Sequence, residues 1–205
     1  MADLTPDGPS VRIAAQMAFL TEADRLKSVL RASKLADGSR RENSGEHSWH
    51  LALYAMTLAD HAPEGVDITR VMRMLILHDL VEIDTGDVPI HSKNGSVHHS
   101  AATMAAEARA AERIFGLLPE DQAASFRALW LEFEAGESPD AVFARSLDRL
   151  QPVMQNIAGG GGSWLEYSVT WPQLKERVGV KIARGAPELW DWVREKARPW
   201  FPHQD

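Results

Sequence analysis

Apolar positions recur at helical spacing along nearly the whole chain. From Val11 to about Ser33 they fall at Ile13, Met17 and Leu20, then at Leu26, Val29 and Leu30, which predicts a helix with one break. Lys34–Asn43 is polar and contains Asp37-Gly38, a turn signal, so a loop is expected there. A second helix is predicted from about Gly45 to His61, on a stripe of Leu51, Tyr54 and Leu58 that His47 begins. A third spans roughly Ile68 to Ile83 with Asp67 as its N-cap, and places Val71, Met74, Leu75, His78 and Glu82 on one face. Thr85–Val97 reads as a loop with Gly86, Pro89 and Gly95. Alanine-rich helix follows from about His99 to Phe115, ended by Gly116 with Pro119 beyond. Another covers about Glu120 to Ala135, and Ser138-Pro139 opens one that runs to about Ile157. Gly159–Gly162 predicts a flexible turn before two shorter helices, Trp171–Val178 and Pro187–Lys196. No sustained period-two pattern occurs, so the expected fold is all-α.

Composition narrows the class without naming a chemistry. At 205 residues, 44% hydrophobic and 25% charged, the chain suits one globular domain. Residues 1–9, with two prolines and a glycine, read as a flexible tail, leaving 10–205 as the domain. The most apolar stretch, Met74 to Leu77, is far short of the roughly 20 residues a membrane span needs. The N-terminus lacks the basic and apolar regions of a signal peptide, and a cytoplasmic location is the simplest expectation. With no cysteine there is neither a disulfide framework nor a thiolate metal site. A net charge of −7 argues against a duplex nucleic-acid partner, yet is compatible with a local basic pocket for a small anion.

The chemistry-bearing anomaly is His78-Asp79, set in the apolar run RMLILHDLVEID. A carboxylate beside a histidine in such surroundings is costly unless its charge is compensated. Asp148, among Phe143, Leu147, Leu150 and Met154, repeats the anomaly, and so does His47 at the start of the second helix. A divalent cation would account for all four, since imidazole and carboxylate suit Mn, Co, Fe, Ni or Zn. Facing helices of a bundle can bring such ligands together. Spacing alone leaves the bland explanation open: hydrogen-bonded core histidines, and aspartates that cap a helix or pair with Arg145 or Arg149. Other candidates have duller expectations. His50 and His61 read as partly exposed rather than as ligands, and His91, His98 and His99 as a solvated loop, with contact to an anionic substrate as the alternative. The four-glycine run lacks the Lys-Ser/Thr ending of a nucleotide-cradling loop. Trp190, Trp192 and Trp200 are expected in the core or a subunit interface. Glu46 fits either a partner of a ligand histidine or a surface carboxylate.

Glu-Asn-x-x-Glu-His, His-Asp-x-x-Glu-x-x-x-Gly-Asp and Leu-Asp-Arg-Leu-Gln occur in that order, within RRENSGEHSWHLAL, MLILHDLVEIDTGD and FARSLDRLQP. With ERIFGLLP between the last two, this pattern resembles the HD-domain metal-dependent phosphohydrolases from about Leu26 to Trp164. Within that family it resembles the branch of bacterial 5′-deoxynucleotidases and the eukaryotic HD domain-containing protein 2. The resemblance implies a single HD-domain helical bundle whose core holds one divalent ion (Mn, Co, Fe, Ni, Zn or Mg) on His47, His78, Asp79 and Asp148. It further implies Glu82 as the acidic catalytic residue, Asp87 in the sugar-binding region, and Arg31 as the phosphate-binding arginine of the first helix. The implied reaction is hydrolysis of nucleoside 5′-monophosphates by a homodimer. One departure stands out: Ala32-Ser33 follows the arginine where the branch carries a nucleotide-orienting tryptophan, which puts a deoxynucleotide preference in question. Hydrolysis of nucleoside triphosphates or cyclic phosphodiesters would call for more basic groups or a second metal site, and no second His-Asp pair is evident. A non-enzymatic binding module would be expected to have lost a ligand or Glu82, and both are retained.

Overall fold

The computed structural model of the protein describes residues 9–91 and 100–202. Helix α1 (Pro9–Ala23) is followed by a tight turn at Asp24–Ser28 and a small hairpin, β1 (Leu30–Lys34) and β2 (Arg41–Asn43). The bundle proper comprises α2 (Ser44–Thr57), α3 (Ile68–Leu77), the short α4 (Glu82–Thr85), α5 (Ala101–Phe115), α6 (Glu120–Ala135) and α7 (Pro139–Ala158). The chain ends with α8 (Gly162–Glu166), α9 (Trp171–Leu174), α10 (Val180–Gly185) and α11 (Pro187–Ala197). The architecture is the helical bundle expected. Residues 1–8 of the expected tail, together with His98 and His99, lie outside the described residues, and Pro9 already belongs to α1.

Helix α7 is the axis of the bundle, packed against α2, α3, α6, α10 and α11. Its Phe143, Ala144, Leu147, Leu150 and Val153 form a buried stripe at three- and four-residue spacing. Ser138 caps its start, accepting from the Ala141 amide, with Pro139 in the first turn. Leu147 is fully enclosed, so truncation to alanine would cost about 2–5 kcal/mol. Pro152 interrupts the helix ladder, because it has no N–H to donate to the carbonyl of Asp148 one turn back. The expected caps elsewhere also form: Asp67 accepts from the Thr69 and Arg70 amides at 2.9 and 3.2 Å.

Several boundaries differ from the sequence expectation, and two of them lie beside the polar cluster. The first helix was expected to continue to Ser33, but helical structure ends at Ser28 and Leu30–Lys34 pairs antiparallel with Arg41–Asn43. The buried positions of these strands are the polar Ser33 and Glu42, so no alternating apolar pattern betrays them. The connecting loop closes through Gly38, whose φ of +71° suits the glycine of Asp37-Gly38. The third helix was expected to run unbroken to Ile83. Instead α3 stops at Leu77 and tightens into a 3₁₀ turn over His78–Val81 before α4. Such mid-helix tightening frequently marks a functional position.

Among the tryptophans, Trp190 joins the core, while Trp192 and Trp200 are exposed. No helix among the described residues is long and apolar enough to cross a membrane.

Candidate metal centre

Three segments deliver the polar cluster. At the start of α2, Asn43 accepts from the Glu46 amide and Glu46 reaches back to the Asn43 amide, a reciprocal cap that fixes the first turn. One residue on, His47 points inward and is fully buried. The 3₁₀ turn after α3 brings the adjacent His78 and Asp79 into the interior. Asp148 comes from the middle of α7.

His47, His78 and Asp79 each offer a ligand atom, and these atoms lie within 4.8 Å of one another, a group that could hold a metal ion. Asp148 stands outside that mutual group but abuts both imidazoles. Its Oδ1 is 3.1 Å from His47 Nε2 and 3.8 Å from His78 Nε2. Asp79 Oδ1 is 2.9 Å from His78 Nε2, and its Oδ2 is 4.0 Å from His47 Nε2. The expected quartet is therefore gathered in one place.

The chemistry of this donor set fits a cation. His78 Nδ1 lies 2.9 Å from the Leu75 carbonyl, which can only accept, so Nδ1 carries a proton. His47 Nδ1 is turned to Gln151 Oε1 at 3.1 Å in the same way. Both imidazoles therefore direct Nε2 at carboxylate oxygens, and His78 Nε2 is buried without a well-formed hydrogen bond. Two lone pairs facing two carboxylates repel unless a positive charge lies among them. The protonation equilibria say the same. Burial pulls the His78 pKa down, yet Asp79 and Asp148 override it and lift it to about 10. Burial likewise pushes the aspartates up, but His78 and Arg31 bring Asp79 down to about 2. Arg149, His47 and His78 hold Asp148 well below the usual carboxylate range. The site calls for a cation at this point, proton or metal.

Above the cluster opens a cavity of about 400 Å³, whose lining includes Arg31, Glu82, Asp87, Arg149, Trp164 and Tyr167. Glu82 follows His78 by one turn and accepts a 2.6 Å hydrogen bond from Ser44 Oγ. Its pKa is raised well above normal by burial, then by Asp79 and Asp87, against the pull of Arg31 and Ser44. Gly86, at φ +73°, ends α4 and turns the chain so that Asp87 faces the same space. Asp87 Oδ2 accepts from the Ala32 amide at 3.2 Å, and burial followed by the Asp79 charge raises its pKa.

Arg31 lies on β1 rather than on a first helix. Its Nη1 is 2.8 Å from Asp79 Oδ2 and 4.0 Å from Asp87 Oδ1, and its Nε is 3.8 Å from Glu42 Oε2. Burial lowers its pKa, but Asp79, Asp87, Glu82 and Asp148 outweigh that and raise it above its already high value. Arg149 reaches the outer oxygen of Asp148, Nε to Oδ2 3.6 Å, whereas Arg145 donates to the Phe133 and Glu134 carbonyls at the end of α6.

The remaining candidates fall as follows. The Glu46 side chain pairs with Arg40 near the surface and accepts from the Asn43 amide, so its hydrogen bonds are spent away from the His47 imidazole. His50 is half-buried against Gln151, and His61 faces Glu188. His91 lines the cavity rather than a solvated loop, its pKa lowered to about 4 by burial and by Arg177 and Arg149. The glycine run turns at positive φ from Gly160 to Gly162. Sequence reasoning missed Glu42, Gln151 and Gln155, buried polar residues behind His47. The signal was available, because Glu42 and Gln151 sit inside the Glu-Asn-x-x-Glu-His and Leu-Asp-Arg-Leu-Gln stretches.

Residues 23–190 match the family model of the HD domain. A crystal structure described as a predicted metal-dependent phosphohydrolase from Magnetospirillum magnetotacticum is 46% identical, with a TM-score of 0.84 over 92% of this chain and 94% of that one. The human 5′-deoxynucleotidase HDDC2 is 29% identical over 139 residues, 67% of this chain and 64% of that protein, so the chain spans a little under two thirds of that relative. A 5′-deoxynucleotidase of Erwinia tasmaniensis is 26% identical across 89% of this chain and 91% of its own length. The chain belongs to the HD-domain family, as a relative of metal-dependent phosphohydrolases and 5′-deoxynucleotidases.

Proposed function

We propose that the protein removes the 5′-phosphate from nucleoside or deoxynucleoside 5′-monophosphates with the help of one divalent ion. The observation that carries this reading is the buried His47–His78–Asp79–Asp148 cluster, whose His78, Asp79 and Asp148 line a cavity that also holds Glu82, a carboxyl of raised pKa, and an arginine, Arg31. The names of the similar proteins supply the substrate class, and a cavity of about 400 Å³ suits a ligand of nucleotide size.

His47, His78, Asp79 and Asp148 would hold the ion. A bound divalent ion would stabilise charge on phosphoryl oxygens and make water a stronger nucleophile near neutral pH. Arg31 faces the same space and binds the phosphate, its guanidinium oriented by Asp79 and Asp87. Glu82, whose pKa is raised by burial and its acidic neighbours, donates a proton to the departing 5′-oxygen. Asp87 accepts from a sugar hydroxyl. Ala32 and Ser33 line the cavity beside Arg31, while Trp164 and Tyr167 present an aromatic wall that can receive the base. A homodimer belongs to the same reading; exposed Leu53 and Trp192 border a separate apolar groove of about 630 Å³.

Phosphate release from a nucleotide panel tests the substrate class. Metal-dependent release is expected from 5′-monophosphates and not from 3′-monophosphates or triphosphates. Preferential release from triphosphates would overturn the reading, and uptake of one ion without any turnover would point to a binding module.

A further inference from the structure

Behind His47, on the side away from the cavity, lies a hydrogen-bonded group of three buried side chains. Glu42 is 1% exposed, Gln151 fully buried and Gln155 nearly so. Glu42 Oε1 accepts from Gln151 Nε2 at 2.8 Å and from Gln155 Nε2 at 2.7 Å. Its other oxygen, Oε2, makes no hydrogen bond but lies 3.5 Å from His47 Nδ1 and 3.8 Å from Arg31 Nε. One buried carboxylate thus stands against both the imidazole read as a metal ligand and the arginine read as the phosphate contact.

The direction of these bonds follows from chemistry alone. A carboxylate only accepts, so the Gln151 amide must turn its NH₂ to Glu42 and its oxygen to His47. The second Gln151 N–H satisfies His50 Nδ1 at 3.2 Å, which reinforces the same orientation. With an acceptor at Nδ1, His47 keeps its proton there and leaves the Nε2 lone pair towards Asp148 and Asp79. We infer that Glu42 is a positioning residue: through Gln151 it fixes the His47 tautomer that can ligate a metal, and the same carboxylate steadies Arg31. This rests on the reading of His47 as a metal ligand.

The amide isostere exposes the logic. In Glu42→Gln the new NH₂ must face either Gln151 or the His47 side. If it faces Gln151, that amide flips and presents its own NH₂ to His47. Facing the His47 side, it replaces the carboxylate oxygen 3.5 Å from His47 Nδ1 by a donor; facing Gln151, it removes the Gln151 acceptor altogether, so both weaken the hold on the Nδ1–H tautomer. The swap Glu42→Gln with Gln151→Glu restores an acceptor at Nδ1, and Gln155, whose Oε1 has no partner, is free to turn its amide to suit.

The test is Co²⁺ titration of the metal-stripped protein, followed by calorimetry and the visible spectrum, with the melting temperature of each metal-free variant recorded alongside. Glu42→Gln is expected to weaken Co²⁺ binding by about 10–100-fold, the usual effect of losing an outer-shell partner. The double variant is expected to recover most of that loss. Gln151→Met, which removes the acceptor and leaves Glu42 intact, should weaken binding similarly and stands in if Glu42→Gln does not fold. Unchanged affinity in Glu42→Gln or Gln151→Met, or a double variant no better than the single one, would overturn the inference. A wild-type protein that takes up no Co²⁺ would instead overturn the metal-centre reading beneath it.

Discussion

Arg31 Nη1 and Asp79 Oδ2 lie 2.8 Å apart at the edge of the cavity. The arginine read as the phosphate contact is therefore held by a residue read as a metal ligand, and anion binding and metal binding share one carboxylate. A planar guanidinium can keep Asp79 and still offer N–H groups to a phosphate, which a lysine ammonium on a flexible stem does less well. Arg31→Lys is expected to lower kcat/KM for 5′-monophosphates by roughly 10²-fold while the protein still takes up one ion. Steady-state kinetics beside metal analysis would check this; an unchanged kcat/KM would remove Arg31 from the phosphate site.

Glu82 supplies a prediction in pH. Burial first, then Asp79 and Asp87, raises its pKa, so a reaction needing its proton slows as pH climbs through that raised value. Ser44 donates to Glu82 Oε2 and favours the ionised form. Ser44→Ala should lift the pKa further and carry the descending limb of the kcat profile to higher pH. Glu82→Gln should keep its metal and lose about 10²–10⁴-fold in turnover. A limb moving to lower pH in Ser44→Ala, or full activity in Glu82→Gln, would contradict the assignment.

A third prediction concerns competition between proton and metal. In the metal-free protein the aspartates overcome burial and hold the His78 pKa at about 10, so below that pH a metal must displace the proton. Binding should release protons, and affinity should rise by about tenfold per pH unit between neutrality and that pKa. Calorimetry in buffers of different ionisation enthalpy reads the release directly. The linkage for folding has the opposite sense. Stability drawn from protonated His78 is complete below its unfolded pKa of about 6.5 and fades as pH rises through the folded value. Affinity that does not vary with pH would argue against His78 as a ligand.

Glu107 also lines the cavity. Burial, then Glu134 and Asp79, raises its pKa to about 7. Its ionisation therefore penalises the folded state as pH rises from about 4.5 through 7, and the penalty persists above that range. Glu107→Gln should leave the melting temperature of the metal-free protein unchanged near pH 4.5 and raise it at pH 8. Equal melting temperatures at both values would show that Glu107 is not held away from its normal pKa.

The helices were legible in the sequence because their burial follows the apolar period, as in the Phe143–Val153 stripe of α7. Caps such as Asp67 and Ser138 were equally legible, since their side chains act within three residues of themselves. The hairpin was not, because its inward residues are Ser33 and Glu42, whose partners lie elsewhere in the fold. The tightened turn at His78–Val81 was also hidden, since the apolar pattern runs through it unbroken. Candidate chemistry could be picked out because histidine and aspartate are conspicuous against apolar neighbours. The support behind it could not, since Gln151 on α7 looks ordinary until Glu42 and His47, over a hundred residues away, are seen to face it.

Asp148 provides the most direct test, because its Oδ1 lies 3.1 Å from His47 Nε2 and 3.8 Å from His78 Nε2 and it reaches them from a separate helix, α7. The measurement is metal content and phosphate release from a deoxynucleoside 5′-monophosphate, made on one preparation of Asp148→Ala that melts cooperatively. Loss of the bound ion and of turnover together is the expected result. Full turnover with a stoichiometric metal ion in place would contradict the assignment of this cluster as the metal centre.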